Sequence, residues 1–234
     1  MHDEIDAQIQ RSAEAISNAE ALLITAGAGM GVDSGLPDFR GDQGFWKAYP
    51  PFRGQKFAEV SNPVWFDTDP VQAWGFFGHR LNLYRRTVPH DGFSVLHEWA
   101  HACSAGHFVF TSNVDGHFQQ AGFEEQRVVE CHGSIRHLQC CEPCDESLWT
   151  ASTLDIDVDE ETIRATSPLP KCLRCDSLSR PNIVMFDDNA WVSRRWREQQ
   201  RRYAEWCRNV EGKRVTVIEL GAGVTIPTVR ELSE

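Results

Sequence analysis

The sequence predicts a doubly wound parallel α/β sheet, because short apolar runs alternate with helical patterns. The runs span residues 21–25, 108–111, 128–130 and 215–220. Apolar strands without polar alternation are typical of parallel sheets that are covered on both faces. Helical spacing in residues 4–19 and 93–103 lies before or between the runs, which favours α/β units over an all-β fold.

The composition is that of a globular protein with an acidic balance. Lys and Arg number 23 against 34 Asp and Glu, which gives a formal net charge of −11. Because nucleic-acid binding depends on Lys and Arg that neutralise phosphates, no direct nucleic-acid binding is expected. No run approaches the roughly 18 apolar residues of a membrane span, and residues 1–20 lack the features of a signal peptide. We therefore expect a cytoplasmic protein without a membrane partner.

Two segments do not fit the sheet and are interpreted as insertions into a single domain, residues 1–234. Residues 42–90 are rich in aromatic residues, Pro and Gly, and predict a loop-and-helix lobe. Residues 137–180 contain paired cysteines around an acidic middle and predict a metal-held module. The sheet and its helices are then assigned to about residues 1–41, 91–136 and 181–234.

The cysteines indicate a metal site rather than disulfides, because the cytosol keeps thiols reduced. Cys172 and Cys175 form one C-x₂-C pair. Cys144 pairs with Cys141 in a second C-x₂-C, or with Cys140 in a C-x₃-C arrangement, and the spacing leaves both open. Two such pairs suit one structural Zn²⁺ held by four thiolates, with no open position for substrate. The alternative is a set of unpaired core cysteines.

A glycine-rich turn follows the first predicted strand. Residues 27–29 (Gly-Ala-Gly) would let the backbone approach a phosphate, and the N-terminus of a following helix favours anions. The alternative is a tight turn without a ligand. Residues 38–40 (Asp-Phe-Arg) place an acid, an aromatic ring and a guanidinium beside this turn, or form a surface loop with an Arg–Asp pair.

Polar residues also follow the next two predicted strands. Ser112, Asn113 and Asp115 come after the second strand, and His132 comes after the third. Because α/β sheets bind ligands at the carboxyl ends of their strands, we expect these side chains to line a site. The alternatives are an Asx turn at residues 113–116 and a hydrogen-bonded structural histidine.

Together these motifs resemble the sirtuin family over about residues 15–225. The matching segments are residues 27–29, 34–41 (SGLPDFRG), 111–116 (TSNVDG), 121–122, 132–134 (HGS), the cysteine pairs and 180–184 (RPNIV). The resemblance implies a Rossmann-like domain with a small zinc-binding lobe, NAD as cosubstrate and an acylated-lysine protein or peptide as substrate. The implied activity is an NAD-dependent protein-lysine deacylase, which cleaves NAD to nicotinamide and transfers the acyl group to ADP-ribose.

The resemblance also implies roles for single residues. His132 would be the general base on a ribose hydroxyl, and Asn113 and Asp115 would orient nicotinamide, ribose and a water. The residues implied to contact NAD are Gly27, Ala28, Gly29, Asp38, Phe39, Arg40, Ser112, Asn113, Asp115, His132 and Gly221. The implied zinc ligands are Cys140, Cys144, Cys172 and Cys175, with Cys141 as the alternative to Cys140. Substrate contacts would come from Val184 and Phe186.

Several positions depart from the family pattern. Ser112 stands where Gln is usual, residues 185–188 (MFDD) replace an aromatic-Phe-Gly-Glu run, and residues 221–223 (GAG) replace Gly-Thr-Ser. Arg80 matches an arginine of desuccinylating members, which pairs with acidic acyl groups, although Phe77 replaces their tyrosine. For Arg80, a charge on a helix surface is the favoured alternative. Members usually extend beyond the equivalent of Glu234, so a weak adenine end of the NAD site is expected.

Other functions of the same site stay open. ADP-ribosyl transfer and NAD hydrolysis would use the same cofactor geometry, and a non-catalytic NAD or ADP-ribose sensor would use the binding alone. A dehydrogenase is disfavoured, because Val32 rather than Gly lies three positions after Gly29. Trp74, Phe76 and Phe77 are expected in an aromatic core rather than in an acyl tunnel.

Overall fold

The computed structural model describes residues 2–37, 41–224 and 226–234. In chain order the strands are β1 (Ala21–Ala26), β2 (His107–Thr111), β3 (Val128–Glu130), β4 (Gly133–Cys140), β5 (Trp149–Thr150), β6 (Val158–Asp159), β7 (Arg164–Ala165), β8 (Ser179–Ile183) and β9 (Val215–Leu220). The helices are α1 (His2–Ser17), α2 (Gly41–Ala48), α3 (Phe57–Val60), α4 (Val64–Thr68), α5 (Pro70–Arg86), α6 (Asp91–Ala102), α7 (His117–Gln120), α8 (Arg194–Asn209) and α9 (Thr228–Ser233). Short 3₁₀ helices span Ala28–Ser34, Pro50–Phe52 and Glu125–Arg127.

A four-stranded parallel sheet, in the order β3-β2-β1-β9, forms the centre of the fold. All four apolar runs predicted from the sequence are strands of this sheet. Every residue of β1 is buried, with Leu22 paired to His107 of β2 on one side and to Thr216 of β9 on the other. One face packs against α6 through Phe93 and Leu96, and the opposite face packs against α8. Helices therefore cover both faces, as the doubly wound prediction requires.

A smaller antiparallel sheet, in the order β5-β4-β8, is formed by strands that lie between β3 and β9 in the chain. Its long ladder joins β4 to β8, and β6 and β7 form a separate two-stranded pair. The sequence predicted that the chain returns to the parallel sheet at about residue 181, and here the structure differs. Pro181 lies in β8 opposite Leu138 of β4, so the chain re-enters the parallel sheet only at β9.

The two predicted insertions share one hydrophobic core. Trp74, Phe76 and Phe77 of α5 are at most 1% exposed and belong to the same cluster as Ile156 and Ile163 of the cysteine-bearing module. This confirms the expectation that these aromatic side chains are core residues. The indole of Trp74 also donates a hydrogen bond to the Ser179 carbonyl oxygen at 2.8 Å, which ties α5 to β8.

Helix α5 approaches the module closely because of its local sequence. The Asp69 side chain caps its start by accepting a hydrogen bond from the Gln72 amide at 3.1 Å, and Pro70 needs no amide partner there. A Cβ atom at Gly75 would lie 2.0 Å from the carbonyl oxygen of Ile163, so only glycine allows this contact.

Within the described residues, no helix combines the length and apolar character needed to cross a bilayer.

Candidate functional site

The predicted NAD-contacting residues that the structure describes lie at the carboxyl ends of the strands of the parallel sheet. The glycine turn follows β1, Ser112–Asp115 follow β2, His132 follows β3, and Gly221 follows β9. The predicted contacts Asp38, Phe39 and Arg40 lie outside the described residues. Because adjacent parallel strands end at one edge, four loops from distant parts of the chain lie at that edge, which we call the cleft.

The glycine turn is held against the end of β9. The Gly27 amide donates to the Leu220 carbonyl oxygen at 2.9 Å, and the Gly29 amide donates to the Gly221 carbonyl oxygen at 3.0 Å. Gly221 has φ 61°, and a Cβ atom there would lie 2.1 Å from the Met30 nitrogen. Glycine is therefore required at residue 221. The helix expected after the turn is a 3₁₀ helix, with Gly27 as its N-cap.

Asn113 connects the loop after β2 to the glycine turn. Its side-chain amide donates a hydrogen bond to the Gly27 carbonyl oxygen at 3.0 Å. Its backbone amide donates to the Thr111 hydroxyl at 3.0 Å, and that hydroxyl donates to the Ala26 carbonyl oxygen at 2.8 Å. These bonds fix the Asn113 side chain, which is 8% exposed, and Ser112 beside it is half-buried.

The Asp115 side chain forms an Asx turn, which the sequence allowed as the alternative to a ligand role. Its carboxylate accepts a hydrogen bond from the His117 amide at 2.8 Å, and Gly116 between them has φ 73°. The Asp115 carbonyl oxygen also accepts a bond from the Arg136 guanidinium at 3.0 Å. The turn does not exclude a ligand role, because the other carboxylate oxygen keeps its lone pairs. Arg136 of β4 was not singled out from the sequence, since only the fold brings it to this loop.

His132 lies half-buried at the end of β3. Burial lowers its pKa from the ordinary value, and a hydrogen bond with the backbone of Ser112 opposes that shift. The neutral imidazole, which can accept a proton, is therefore the main form at neutral pH. Just behind it, the buried Glu130 is ion-paired with Arg195 of α8, which anchors this strand end.

The segment after β8 borders His132. The Val184 amide donates to the His132 carbonyl oxygen at 3.0 Å, and the Phe186 amide donates to the Ser61 carbonyl oxygen at 3.0 Å. The Phe186 side chain is 37% exposed, and its ring centroid lies 6.1 Å from that of Phe57 in an edge-to-face arrangement. The segment thus bridges the loop-and-helix lobe and the strand end that carries His132.

A buried ion pair and an unusual backbone conformation shape this segment. Asp188 accepts two hydrogen bonds from the Arg180 guanidinium, and both side chains are at most 1% exposed. Asp187 has φ 57°, a left-handed conformation that Gly adopts most easily and that Asp tolerates. The family pattern places Gly at this position, so the substitution changes the side chain while a glycine-like backbone conformation is kept.

Arg80 is buried, so the favoured interpretation of it as a helix-surface charge was wrong. It is 5% exposed, and its guanidinium carbon lies 5.3 Å from the Phe76 ring centroid and 5.8 Å from that of Phe77. Its Nε donates to the Tyr84 hydroxyl at 3.0 Å. Tyr84, one helical turn onward, was missed; its i+4 spacing from Arg80 was the available signal.

The cysteines converge on a single point of the module. One sulfur atom each from Cys140, Cys144, Cys172 and Cys175 lies within 4.8 Å of all the others. Cys140 and Cys175 sulfurs are 3.6 Å apart, and Cys144 and Cys172 sulfurs are 3.7 Å apart. A tetrahedral zinc ion with Zn–S bonds of about 2.3 Å requires S–S separations of about 3.8 Å. The thiols are thus positioned to bind one metal ion, and Cys141 is not among them.

The parallel sheet with its glycine turn and the four-thiol module define a Rossmann-like protein with a metal-binding lobe. The Sir2 family model matches residues 27–207, and this chain belongs to the Sir2 family.

Curated relatives and solved structures agree with this assignment. The chain is 31% identical to an NAD-dependent protein deacylase of Thermococcus sibiricus over 77% of its own length and 65% of the relative. It is 30% identical to an NAD-dependent protein deacetylase of Saccharolobus solfataricus over 76% of the chain and 65% of the relative. The structure of a Sir2 homologue mutant in complex with ADP-ribose aligns with 95% of this chain and with 80% of the homologue, with 26% identity and a TM-score of 0.66. The structure of a Sir2 homolog–NAD complex aligns with 94% of this chain and with 85% of the homolog, with 25% identity and a TM-score of 0.62. The matched regions thus span slightly less than two thirds of these curated relatives.

Proposed function

We propose that this chain is an NAD-dependent protein-lysine deacylase. The single observation that carries the proposal is the meeting of His132 with the Asn113 loop and the glycine turn at one edge of the sheet. It is supported by the Sir2 family match, by relatives named as NAD-dependent deacylases and by a related structure solved with NAD.

The residues at this edge fit the parts of NAD. When bound, NAD supplies the ribose carbon at which the bond to nicotinamide breaks as the acyl oxygen of the substrate attacks. Gly27, Ala28 and Gly29 hold the pyrophosphate, because this backbone has no side chain larger than a methyl group to block it. Asn113 and Asp115 orient the nicotinamide ribose. Neutral His132 accepts the proton of the ribose hydroxyl.

The acylated-lysine peptide lies along residues 184–186 in this proposal. The Phe186 ring is exposed, and the amide of the half-buried Val184 donates to the His132 carbonyl oxygen, so this segment runs beside His132. Arg80, with the Tyr84 hydroxyl bonded to it, selects the acyl group, and this pair favours an acidic acyl chain such as succinyl.

A structural zinc ion completes the proposed enzyme. Cys140, Cys144, Cys172 and Cys175 would hold it, and the ion would connect the end of β4 to the loop before β8. Zinc binds thiolates and lowers the pKa of its thiol ligands, so the bound ion would itself keep the four sulfurs deprotonated. A cytoplasmic location follows from the same reasoning, since four reduced thiolates persist in a reducing compartment.

Product analysis tests the proposal. The purified protein is incubated with NAD and a panel of acetyl- and succinyl-lysine peptides, and the products are identified by mass spectrometry. We expect nicotinamide, deacylated peptide and O-acyl-ADP-ribose, with a loss of about 10²-fold or more in His132→Ala. His79→Gln, a half-buried histidine bonded to Tyr49 in the lobe, is the control and retains activity.

Three other results would reject deacylation. Free ADP-ribose with unchanged peptide indicates NAD hydrolysis, and ADP-ribosylated protein indicates transfer. Saturable NAD binding without turnover, unchanged in His132→Ala, indicates a sensor. The exposed Asp187, which stands where the family pattern has Gly, is the feature that favours these alternatives.

A further inference from the structure

Asp187 places a carboxylate at the end of the peptide segment, residues 184–186, along which the substrate is proposed to lie. The segment runs beside His132 through the bond from the Val184 amide to the His132 carbonyl oxygen, and it presents the exposed Phe186 ring. Asp187 follows Phe186 directly and is itself exposed. Its side chain is therefore accessible to a peptide bound along this segment.

No cation among the described residues forms an ion pair with Asp187. The neighbouring Asp188 differs, because it is paired with the Arg180 guanidinium at 2.8 Å and both of those side chains are at most 1% exposed. Asp187 accepts only a long hydrogen bond, at 3.4 Å, from the neutral side-chain amide of Asn62. An exposed carboxylate of this kind at a binding surface attracts cationic groups and repels acidic ones.

The backbone at residue 187 accounts for a short side chain but not for its charge. With φ 57°, the position suits Gly and tolerates Asn or Asp. An uncharged Asn would adopt this conformation as readily as Asp, and the family pattern has Gly here. The negative charge thus meets no need of the backbone, and its place beside the peptide segment points to substrate recognition.

We propose that Asp187 makes the site selective for peptides with a Lys or Arg two or three residues from the acyl-lysine, an inference that rests on the proposed deacylase function. Asp187 lies three residues beyond Val184, which is at most about 11 Å along the chain. An extended peptide advances about 3.3 Å per residue, so a residue two or three positions from the acyl-lysine comes level with Asp187. A Lys or Arg there reaches the carboxylate, whereas Asp or Glu is repelled.

The preference is expected to be moderate, because the contact is exposed to water. Exposed ion pairs change an equilibrium constant by about two- to fivefold, and salt weakens them. A peptide with Arg at the selected position should bind more tightly than the same peptide with Gln by about that factor, and a peptide with Glu should bind more weakly. Both differences should shrink at high ionic strength.

Binding of acetyl-lysine peptides to the zinc-loaded full chain, followed by fluorescence anisotropy, tests the proposal. ADP-ribose is present to fill the cofactor site without turnover. Each peptide carries a single Arg, Gln or Glu at one of the three positions on either side of the acetyl-lysine. We expect Arg to bind best two or three positions away, on one side, and Asp187→Asn to abolish the difference between Arg and Glu. Glu211→Gln, an exposed acidic residue between α8 and the start of β9, is the control and should keep it.

Equal binding of the Arg and Glu peptides at every position, or no binding of any peptide, would overturn the proposal. So would a preference that persists unchanged in Asp187→Asn or that disappears in Glu211→Gln. If Asp187→Asn does not fold, the salt dependence of the preference in the unmodified protein decides. Product analysis keeps the two proposals apart. Deacylation of all peptides without regard to charge rejects only the selectivity, whereas binding that follows charge without deacylation rejects only the deacylase function.

Discussion

The side-chain amide of Asn113 donates a 3.0 Å hydrogen bond to the carbonyl oxygen of Gly27, which joins the loops after β2 and β1. The Gly27 carbonyl oxygen also accepts a hydrogen bond from the Met30 amide at 3.0 Å, so the Asn113 amide adds a tie from a second loop to a turn that is already bonded within itself. The residue proposed to orient the ribose therefore also holds the turn proposed to hold the pyrophosphate. Loss of one group is expected to disturb both ends of the cofactor site.

Asn113→Ala should reduce both stability and activity. The Gly27 carbonyl oxygen keeps the Met30 amide as a donor, so the variant loses one hydrogen bond, and the free energy of unfolding in urea should fall by about 0.5–1.5 kcal/mol. We expect kcat/KM for NAD to fall at least tenfold, because the ribose loses its proposed contact with Asn113 and the glycine turn loses its bond to the loop after β2. Asn209→Ala, at the exposed end of α8, is the matched control and should change neither quantity. Equal kcat/KM in the two variants would contradict the role of Asn113.

Cys140 and its neighbour Cys141 form a matched pair for the metal site. Cys140→Ser removes one of the four converging sulfurs and should lower zinc content well below one equivalent, with loss of stability in the module. Cys141→Ser should retain one equivalent, because Cys141 packs against the apolar core instead. Elemental analysis of the two purified variants gives the answer, and zinc loss in Cys141→Ser alone would reverse the ligand assignment.

Gly221→Ala should weaken the cleft, while Gly223→Ala should not. A side chain at residue 221 meets the Met30 nitrogen at 2.1 Å and must adopt φ 61°, whereas a Cβ atom at residue 223 meets nothing within 4 Å. Left-handed backbone alone costs an L-residue about 1–2 kcal/mol. We expect Gly221→Ala to lose at least that much stability and to bind NAD more weakly in calorimetry. Comparable losses in both variants would show that the close contact is not the cause.

The sequence was sufficient for the parallel sheet and insufficient for what surrounds it. The four strands were predictable because continuous apolar runs are a local signal. Two features of the site needed the fold. Arg80 is buried by rings from α3 and α5, which no spacing in the sequence brings together. The pairing of β4 with β8 joins segments about forty residues apart. The sequence spacing allowed either Cys140 or Cys141 as a zinc ligand, and only this pairing places the Cys140 sulfur beside the other three.

Asp187 is expected to tolerate Gly and to reject β-branched residues. At φ 57° a valine would be strained by about 1–2 kcal/mol, whereas glycine adopts this conformation without a steric penalty. Asp187→Gly loses only a long hydrogen bond from Asn62, at 3.4 Å. Its free energy of unfolding in urea should therefore lie within about 1 kcal/mol of that of the parent protein. Asp187→Asn should behave similarly, while Asp187→Val should be clearly less stable. Equal stability of Val and Gly at this position would refute the argument from backbone conformation.

The pH dependence of the reaction follows from the burial of His132. Burial lowers its pKa below the ordinary value of about 6.5, so the neutral base is populated at neutral pH and is lost on acidification. The rate kcat/KM should therefore be flat across neutral pH and should fall below pH 6.5 with a midpoint that belongs to His132. His79→Gln should preserve that midpoint, and the residual rate of His132→Ala should lack the transition. A midpoint above 6.5 would mean that a group other than His132 controls the proton transfer.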